Sequence, residues 1–280
     1  MDLTVRGEIG AYYATGDEGD RLAIGYFQLE RLRTEAILAR HLPDRPAKLF
    51  DIGGGTGPYA RTLTARGYEV HLLDPIPAHV EAACRPDANG VTPASAEIGD
   101  ARELPWGDGE ADAALLLGPL YHLPDLADRC KAISEAYRVL RPGGVVVAAG
   151  ISRLSVPLDG IKGPPTGKPK ERLPLKEGLR LVERAVRTGQ YANPTDDRNM
   201  FTTAYMHRPA ELVGEISAGG FAECRYHAVE GPGAWLPGFQ RAWRRRNVRA
   251  ALCEIARASG GVPLLRALTP HMVVTAHKPT

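Results

Sequence analysis

The stretch LFDIGGGTGPYA, residues 49–60, runs from apolar residues through one aspartate into a turn that is nearly bare of side chains. Gly53, Gly55 and Gly57 can adopt positive φ without steric strain, and they let a bound molecule come close to the backbone. A glycine-rich turn directly after an apolar run therefore predicts a ligand-binding loop between a strand and a helix.

Short β-branched or leucine-rich runs alternate with amphipathic stretches between about residues 45 and 150, which is typical of βα units around a parallel sheet. The strand candidates are AKLFD, YEVHLLD, ASAEIGD, ADAALLLG and GGVVVAAG. YARTLTARG and LADRCKAISEAYRVLRPGG predict helices, the second ending at Pro142 and the two glycines after it. Further along, AECRYHAV and HMVVTAHK predict an antiparallel hairpin at the end of the sheet.

Changes in composition divide the chain into four parts. Residues 1–44 predict an N-terminal helical cap, and residues 45–153 predict the core of the sheet. Residues 154–200 are dense in Pro, Gly and Lys, which favours a lid or substrate insertion over a core element. Residues 201–280 predict the helices and strands that complete the sheet.

Composition limits the classes of function. The chain has 280 residues and a formal net charge of +2, so no strong global field draws it to nucleic acid or to an anionic membrane. No stretch reaches the roughly 18 apolar residues of a spanning helix, and the N-terminus lacks an apolar signal region. We therefore expect a soluble, cytoplasmic monomer or homodimer with a small-molecule partner.

The cysteines do not follow any metal-binding or disulfide pattern. Cys84, Cys130, Cys224 and Cys253 are scattered, with neither CxxC nor flanking histidine spacing. We expect reduced, mostly buried thiols and no metal site.

Acidic residues end three successive strand candidates: Asp51, Asp74 and Asp100. The carboxyl ends of parallel strands meet at the edge where open α/β sheets bind ligands. Each aspartate taken alone fits a helix N-cap equally well, and the turn also matches the G-x-G-x-x-A form of the dinucleotide fingerprint. Asp51 distinguishes a dinucleotide from S-adenosylmethionine as the ligand of this turn. The pyrophosphate of a dinucleotide does not need a carboxylate at this position, whereas the sulfonium and the ammonium of S-adenosylmethionine are cations that a carboxylate would attract.

These segments resemble the motifs of class I S-adenosylmethionine-dependent methyltransferases: DIGGGTG the first, VHLLD the second, GDARELP the third, DAALLLGPLYHL the fourth, and RVLRPGGVVV the step beyond it. The resemblance covers about residues 45–150. It implies a Rossmann-like α/β fold, with a seven-stranded, mostly parallel sheet, helices on both faces and a reversed final hairpin. It also implies S-adenosylmethionine as cofactor, contacted by Asp51, Gly53, Gly55, Asp74, Pro75, Asp100, Ala101, Leu117 and Gly118.

The N-terminal lead-in resembles the cap that related small-molecule methyltransferases fold over the cofactor. By that resemblance, Tyr12 and Tyr13 would lie over the site, with an aromatic ring shielding the sulfonium. Arg21 would pair with the methionine carboxylate. We therefore place Tyr13 and Arg21 among the cofactor-binding residues and Tyr12 among the substrate-binding ones.

The fourth strand bears on the methyl acceptor. It ends in LGPLYHL and not in the Asn/Asp-Pro-Pro-Tyr type of motif found in nucleic-acid and protein amide methyltransferases, which favours a small metabolite. His122 is a candidate general base, with simple loop packing as the alternative. The candidate catalytic residues are His122, Tyr121 and His207, and the candidate substrate-binding residues are Tyr12, Tyr121, His122, Tyr205 and His207.

Other functions remain open at this point. Arg241, Arg244, Arg245, Arg246 and Arg249 would form one basic helical face that could grip RNA phosphates, although a solvated surface is the commoner meaning of such a pattern. An NAD(P)-dependent oxidoreductase and an S-adenosylmethionine-binding module without catalysis are the further alternatives. Glu230 and Trp235, in VEGPGAW, are expected in a solvent-exposed loop.

Overall fold

A computed structural model describes residues 7–13, 21–162, 174–193 and 200–280, with side chains left out for residues 159–162. The described part is an α/β fold around one twisted sheet of nine strands, in the order β3-β2-β1-β4-β5-β7-β6, with β9 beside β5 and β8 beside β9. The strands are β1 (Lys48–Ile52), β2 (Glu69–Asp74), β3 (Ser95–Ile98), β4 (Ala111–Leu116), β5 (Leu140–Ser152), β6 (Gln190–Tyr191), β7 (Ala204–His207), β8 (Ala222–Ala228) and β9 (His271–His277).

The helices cover both faces of this sheet. They are α1 (Gly7–Tyr13), α2 (Phe27–His41), α3 (Pro58–Ala65), α4 (Pro77–Cys84), α5 (Pro119–His122), α6 (Leu126–Val139), α7 (Ser155–Lys162), α8 (Leu175–Thr188), α9 (Pro209–Ala218), α10 (Phe239–Trp243) and α11 (Arg246–Gly261). Residues of α2, α3 and α4 pack on one face, and residues of α6 and α9 pack on the other.

Alternation along the strands builds the two layers of the core. Leu49 of β1 faces the cluster that contains Leu63 and Leu72, whereas its neighbour Phe50 faces the cluster that contains Leu116. Successive side chains of a strand point to opposite faces, so both faces must be apolar when helices cover both. The leucines and valines of these strands are fully buried, and their burial favours the packing of helices on both faces of the sheet.

The central strands are parallel, as the sequence predicts. β1 pairs in parallel with β2 and β4, β2 with β3, and β4 with β5. β9 pairs antiparallel with both β5 and β8, which is the expected reversed hairpin. The sheet order β3-β2-β1-β4-β5-β9-β8 supplies the predicted seven strands, and β6 and β7 are two short additions.

One boundary differs from the prediction. Helix α6 ends at Val139, and β5 already begins at Leu140, so Pro142 and the glycines after it lie inside the start of the strand. Leu140 pairs with Ala111, and the register then shifts before Val145 pairs with Ala113. Pro142 and the two glycines after it lie in this irregular part at the start of β5. A proline is tolerated there because the regular pairing of the strand does not need its missing N–H group.

Part of the predicted lid lies outside the described residues, which exclude 163–173 and 194–199. The described parts of residues 154–200 contain α7, α8 and β6. None of the described helices combines the length and the apolar composition that crossing a bilayer requires. The cytoplasmic location stays a prediction.

Two surface predictions need correction. All four cysteines are free thiols, but Cys84 and Cys130 are exposed and the other two are only partly buried. The arginine run does not form one helical face, because the chain leaves α10 at Arg244 and enters α11 only at Arg246. Burial of Phe239 and Trp243 in a separate small cluster sets this bend.

Glu230 is a third correction, because it is fully buried and not in a solvent loop. Its Oε2 accepts hydrogen bonds from the backbone N–H of His271, at 3.0 Å, and from the hydroxyl of Thr269, at 3.0 Å. The chain after it forms a short 3-10 helix, Gly231–Trp235, whose Trp235 is half-buried.

Glu230 belongs to a buried charge network that links α2 to the start of β9. His271 Nδ1 lies 2.5 Å from Oε1 of Glu230 and 3.6 Å from Oε2 of Glu30. Glu30 also accepts two hydrogen bonds from Arg21, at 2.7 and 3.1 Å. Burial alone lowers the pKa of His271, but the two carboxylates outweigh it and raise that pKa to about 9. The imidazolium is therefore the form that the fold stabilises.

This network predicts a pH-dependent stability. Because the folded pKa of His271, about 9, lies above the ordinary histidine pKa of 6.5, the stabilisation by its positive charge is complete below pH 6.5 and is lost as the pH rises through 9. Below pH 6.5, His271→Gln should lower the free energy of unfolding by on the order of 1–3 kcal/mol, since the uncharged amide cannot compensate two carboxylates.

Urea denaturation of both proteins from pH 6 to 10 measures this difference, which should shrink as the pH rises. His277→Gln, at the other end of β9, is the matched control. A constant gap between wild type and His271→Gln across the whole range would contradict the assignment.

Candidate functional site

A cavity opens at the carboxyl ends of the parallel strands, where the sequence predicts ligand binding. Its walls come from the glycine turn after β1, the start of α4 after β2, the turn after β3 and the short helix α5 after β4. Side chains of α1 and of the segment before α2 complete its lining. The predicted cofactor residues all line this cavity: Tyr13, Arg21, Asp51, Gly53, Gly55, Asp74, Pro75, Asp100, Ala101, Leu117 and Gly118.

The glycine turn is shaped by both backbone strain and close approach. Gly53, Gly55 and Gly57 have φ values of +70°, +59° and +81°, which residues with a side chain rarely adopt. A Cβ on Gly54 would lie 2.7 Å from Oδ2 of Asp51, so this position must also be glycine. A Cβ on Gly55 would meet nothing within 4 Å, because Gly55 borders the open cavity.

Asp51 has an unusual environment for a carboxylate. The residue is 1% exposed, and neither carboxylate oxygen has a hydrogen-bond partner in the described structure. Burial, together with the charge of Asp74, raises its pKa to about 7. A buried carboxylate without a partner costs free energy, and a cation that enters the cavity would remove that cost.

Asp74, at the end of β2, is by contrast almost saturated. Its Oδ1 accepts from the backbone N–H of Ile76, at 2.9 Å, and lies 3.0 Å from Nδ1 of His79. Its Oδ2 accepts from the backbone N–H of Gly55 at 2.8 Å, which ties the glycine turn to the second strand. A carboxylate offers about four acceptor positions, so about one remains for a ligand.

Asp100 is also occupied by a protein partner. Arg102 donates to both of its oxygens, at 2.9 and 2.8 Å, and the backbone N–H of Arg102 adds a third bond at 2.8 Å. The same guanidinium reaches Asp128 at 3.0 Å. Asp100 and its neighbour Ala101 therefore border the cavity as part of an ion-paired wall.

Tyr13 of α1 joins two histidines at the inner end of the cavity. Its hydroxyl lies 2.7 Å from Nε2 of His122, and its ring stands edge-on to His122 and to His79, each at 5.2 Å between centroids. Burial lowers the pKa of His122 to about 4, against a partial opposing effect from the Thr203 backbone. His122 is thus neutral at physiological pH.

An aromatic shell continues beyond this end of the cavity. Phe201 lies 5.5 Å from His122, 6.4 Å from Tyr121 and 5.9 Å from Tyr12, between ring centroids. Tyr121 and His122 line the cavity, whereas Tyr12 packs behind Tyr13. The structure therefore brings three of the predicted substrate residues together around Phe201.

Tyr205 and His207 do not reach the cavity. His207 is fully buried between β7 and α9, where Nε2 lies 3.3 Å from Glu215. Glu215 also pairs with Arg129, whose guanidinium stacks 3.7 Å above the Tyr205 ring. These residues form a second buried ion network, and burial lowers the pKa of His207. The prediction that His207 is catalytic and that Tyr205 and His207 bind substrate is therefore wrong, because neither side chain lines the cavity.

The cavity wall also contains side chains that the sequence patterns do not predict, and His79, Arg102 and Tyr59 are among them. His79 had a detectable signal, since it follows Asp74 by five residues and Pro77 by two. Proline favours the first turn of a helix, so position 79 falls at a helix start beside the strand end. Arg102 and Tyr59 depend on tertiary packing and had no such signal.

One group of side chains has ligand atoms that could hold a metal ion, in the part of the chain that the structure describes. Those atoms of Glu30, Glu230 and His271 lie within 4.8 Å of one another. Their charges are already balanced by the proton on His271 and by Arg21. A metal would have to displace that proton, so this group is a structural charge network.

Comparison with known proteins agrees with this geometry. A family model described as a methyltransferase domain matches residues 50–148, from β1 into β5. An uncharacterized methyltransferase of Mycobacterium tuberculosis is 36% identical over 105 residues, 37% of this chain and 39% of that protein. A ubiquinone/menaquinone biosynthesis C-methyltransferase of Methylobacterium nodulans is 35% identical over 136 residues, 46% of this chain and 52% of that protein. The chain spans about half or less of the length of these curated relatives.

The fold extends further than these sequence matches. A crystal structure of an S-adenosylmethionine-dependent methyltransferase from Methanosarcina mazei superimposes with a TM-score of 0.56 and 20% identity, over 87% of this chain and 97% of that one. The same architecture is therefore present on both sides of the matched segment. Residues 50–148 match the model of a methyltransferase domain, and the strand order and the cavity built on this segment are those that the resemblance to class I S-adenosylmethionine-dependent methyltransferases implies.

Proposed function

We propose that this protein transfers the methyl group of S-adenosylmethionine to an oxygen, nitrogen or carbon atom of a small, partly apolar metabolite. The unpartnered, buried carboxylate of Asp51 carries this proposal. It lies next to a glycine turn that borders the open cavity at Gly55. A ligand with an ammonium and a sulfonium would give this carboxylate a positively charged partner.

The cavity walls fit the parts of this cofactor. Asp51 would attract the ammonium, and the last acceptor position of Asp74 would take a ribose hydroxyl. Arg21 lines the cavity and is ion-paired with Glu30, and its guanidinium would donate to the methionine carboxylate. Leu117, Gly118, Pro75 and Ala101 offer small or apolar surface for the adenosine and methionine parts.

Catalysis would depend mainly on alignment. Bound S-adenosylmethionine supplies an already activated methyl carbon, so the residues around it have to hold the acceptor in line and exclude water. Such positioning is worth roughly 7–11 kcal/mol. Tyr13 and His122, joined by a 2.7 Å hydrogen bond, would form the wall against which the acceptor packs. A neutral His122 lines the cavity and would accept a proton from an acceptor hydroxyl.

The surroundings of this wall favour an apolar or aromatic acceptor. The rings of Phe201, Tyr121 and Tyr13 surround His122. The adjoining apolar cluster contains Tyr191, Met206 and Ile151. The name of the Methylobacterium relative, a quinone-biosynthesis enzyme, is compatible with such an acceptor.

The alternatives fit this cavity less well. A dinucleotide would place phosphates near the turn, where a second anion beside Asp51 is unfavourable. Arg241, Arg244, Arg245 and Arg246 are exposed and do not line the cavity, and the bend between α10 and α11 breaks them into two groups. The described residues therefore provide no continuous basic surface at the site for RNA.

The function is tested directly by incubating the protein with isotopically labelled S-adenosylmethionine and a metabolite extract of its host, followed by mass spectrometry. Transfer of label to a small apolar compound is the expected result. Labelling of added RNA, or binding of NADH with no binding of S-adenosylhomocysteine in calorimetry, would overturn the proposal.

Asp51→Asn should change stability and binding in opposite directions. The folded pKa of Asp51, about 7, lies above the ordinary aspartate pKa of 3.8, so the carboxylate destabilises the fold increasingly as the pH rises from 3.8 through 7. At pH 8, without ligand, the variant should gain on the order of 1–3 kcal/mol in the free energy of unfolding. Its affinity for S-adenosylhomocysteine should fall by about tenfold or more, since a charged partner is lost.

Chemical denaturation and calorimetry at pH 8 measure both quantities. Asp112→Asn is the matched control, because Asp112 is a partnered carboxylate that accepts from the Lys48 backbone at 2.6 Å and binds Arg141 at 2.8 Å. That variant should lose stability and keep its affinity for the ligand. An Asp51→Asn protein that binds as tightly as wild type would remove Asp51 from the cofactor site.

His122→Ala should lower the rate of methyl transfer at least tenfold with the acceptor found by labelling, and leave S-adenosylhomocysteine affinity nearly unchanged, because a base acts on the acceptor. With a pKa of about 4, His122 does not titrate between pH 5.5 and 8.5, so it adds no step to the pH profile of kcat in that range. Single-turnover rates of wild type, His122→Ala and the surface control His71→Gln provide the measurement. Full activity in His122→Ala at every pH would leave alignment alone as the source of catalysis.

A further inference from the structure

His79, in the first turn of α4, is another residue of the cavity with a buried polar atom that has no hydrogen-bond partner among the described residues. It is 5% exposed and lines the cavity beside Asp74. Its Nδ1 lies 3.0 Å from Oδ1 of Asp74, while its Nε2 is buried and has no hydrogen-bond partner in the described structure. A buried ring nitrogen without a partner is costly in an empty site and is explained if a ligand supplies the partner.

The neighbouring carboxylate fixes which tautomer His79 adopts. An ionised carboxylate can only accept, so the proton of the His79–Asp74 hydrogen bond belongs to Nδ1. In the neutral ring Nε2 is then an acceptor. The edge-on ring of Tyr13, 5.2 Å from the His79 ring, packs against it from the α1 side.

A count of acceptor positions shows why a second acceptor is needed. An adenosyl ribose presents two adjacent hydroxyls, but three of the roughly four acceptor positions of Asp74 are occupied by Gly55, Ile76 and His79. The carboxylate can therefore serve one hydroxyl. The second hydroxyl needs an acceptor next to Asp74, and Nε2 of His79 is the unpartnered one there.

We propose that Asp74 and His79 bind the ribose as a pair, with Asp74 accepting one hydroxyl and Nε2 of His79 accepting the other. Asp74 also positions the imidazole through its Nδ1–H. This inference rests on the proposed use of an adenosyl cofactor, and it makes His79 a residue that selects for an intact ribose diol.

The decisive comparison uses His79→Asn and His79→Gln. The shorter asparagine amide can keep the hydrogen bond to Asp74 but does not reach the position of Nε2, whereas the glutamine amide can reach it. His79→Asn should bind S-adenosylhomocysteine about tenfold more weakly than wild type, as expected for one lost hydrogen bond to a buried group. His79→Gln should recover part of this loss.

Ligands without one hydroxyl separate hydrogen bonding from packing. We expect the difference between wild type and His79→Asn to vanish for one of the two analogues, 2′-deoxy- or 3′-deoxy-S-adenosylhomocysteine, and to persist for the other. His71→Asn is the matched control, because His71 lies on β2 and contacts Ser95 and Glu69, outside the cavity. It should bind all three ligands as wild type does. If His79→Asn does not fold, His79→Leu carries the same expectation.

Two results would overturn the proposal: wild-type affinity in His79→Asn, or an equal loss of affinity for S-adenosylhomocysteine and both deoxy analogues. Calorimetry of the wild-type protein distinguishes this failure from that of the proposed function. If wild type does not bind S-adenosylhomocysteine at all, the cofactor proposal fails. If it binds and the His79 variants behave alike, only the role of His79 is wrong.

Discussion

The carboxylate of Asp51 is the constraint around which the site is built. It is buried at the end of β1, and neither of its oxygens has a hydrogen-bond partner among the described residues. A Cβ on Gly54 would lie only 2.7 Å from its Oδ2. A fold selected for stability alone would avoid such a group, because a desolvated charge opposes folding. Its presence beneath an open glycine turn indicates that the apo protein gives up stability for a cation-binding position, as functional sites often do.

Other buried charges of the molecule are handled in the opposite way. Glu30, Glu230 and His271 compensate one another between α2 and β9, and Arg129 pairs with Glu215 between α6 and α9. In both networks each charge has an opposite charge within reach, so removing one member would leave another buried without a partner. All of these charged groups are buried, so burial alone does not distinguish them. The presence of a charged protein partner distinguishes the structural charges from Asp51, the proposed ligand-binding charge.

Sequence patterns predicted the central strands, the helices between them and the edge where three acids converge, because these features depend on local periodicity and on strand ends. They failed where distant residues decide. Histidine, glutamate and arginine do not reveal whether they will be buried: His207 and Glu230 lie in core networks, and Arg102 already occupies the carboxylate of Asp100. The start of β5 was also misplaced, since the strand accommodates Pro142 through an irregular register. Only the packed structure reveals how many acceptor positions Asp74 has left.

Access to the cavity depends on the short helix α1. A helix of seven residues has little stability of its own, so its position rests on contacts with the rest of the chain. Ile9 is its buried apolar residue, its Glu8 accepts from the hydroxyls of Thr202 and Thr203, and Tyr13 contacts both His79 and His122. Tyr13 therefore joins the histidine beside the proposed ribose position to the histidine at the proposed acceptor wall. Because Tyr13 lines the cavity between these two histidines, the proposed ribose and acceptor positions share one wall side chain, which the contacts of α1 with the rest of the chain hold in place.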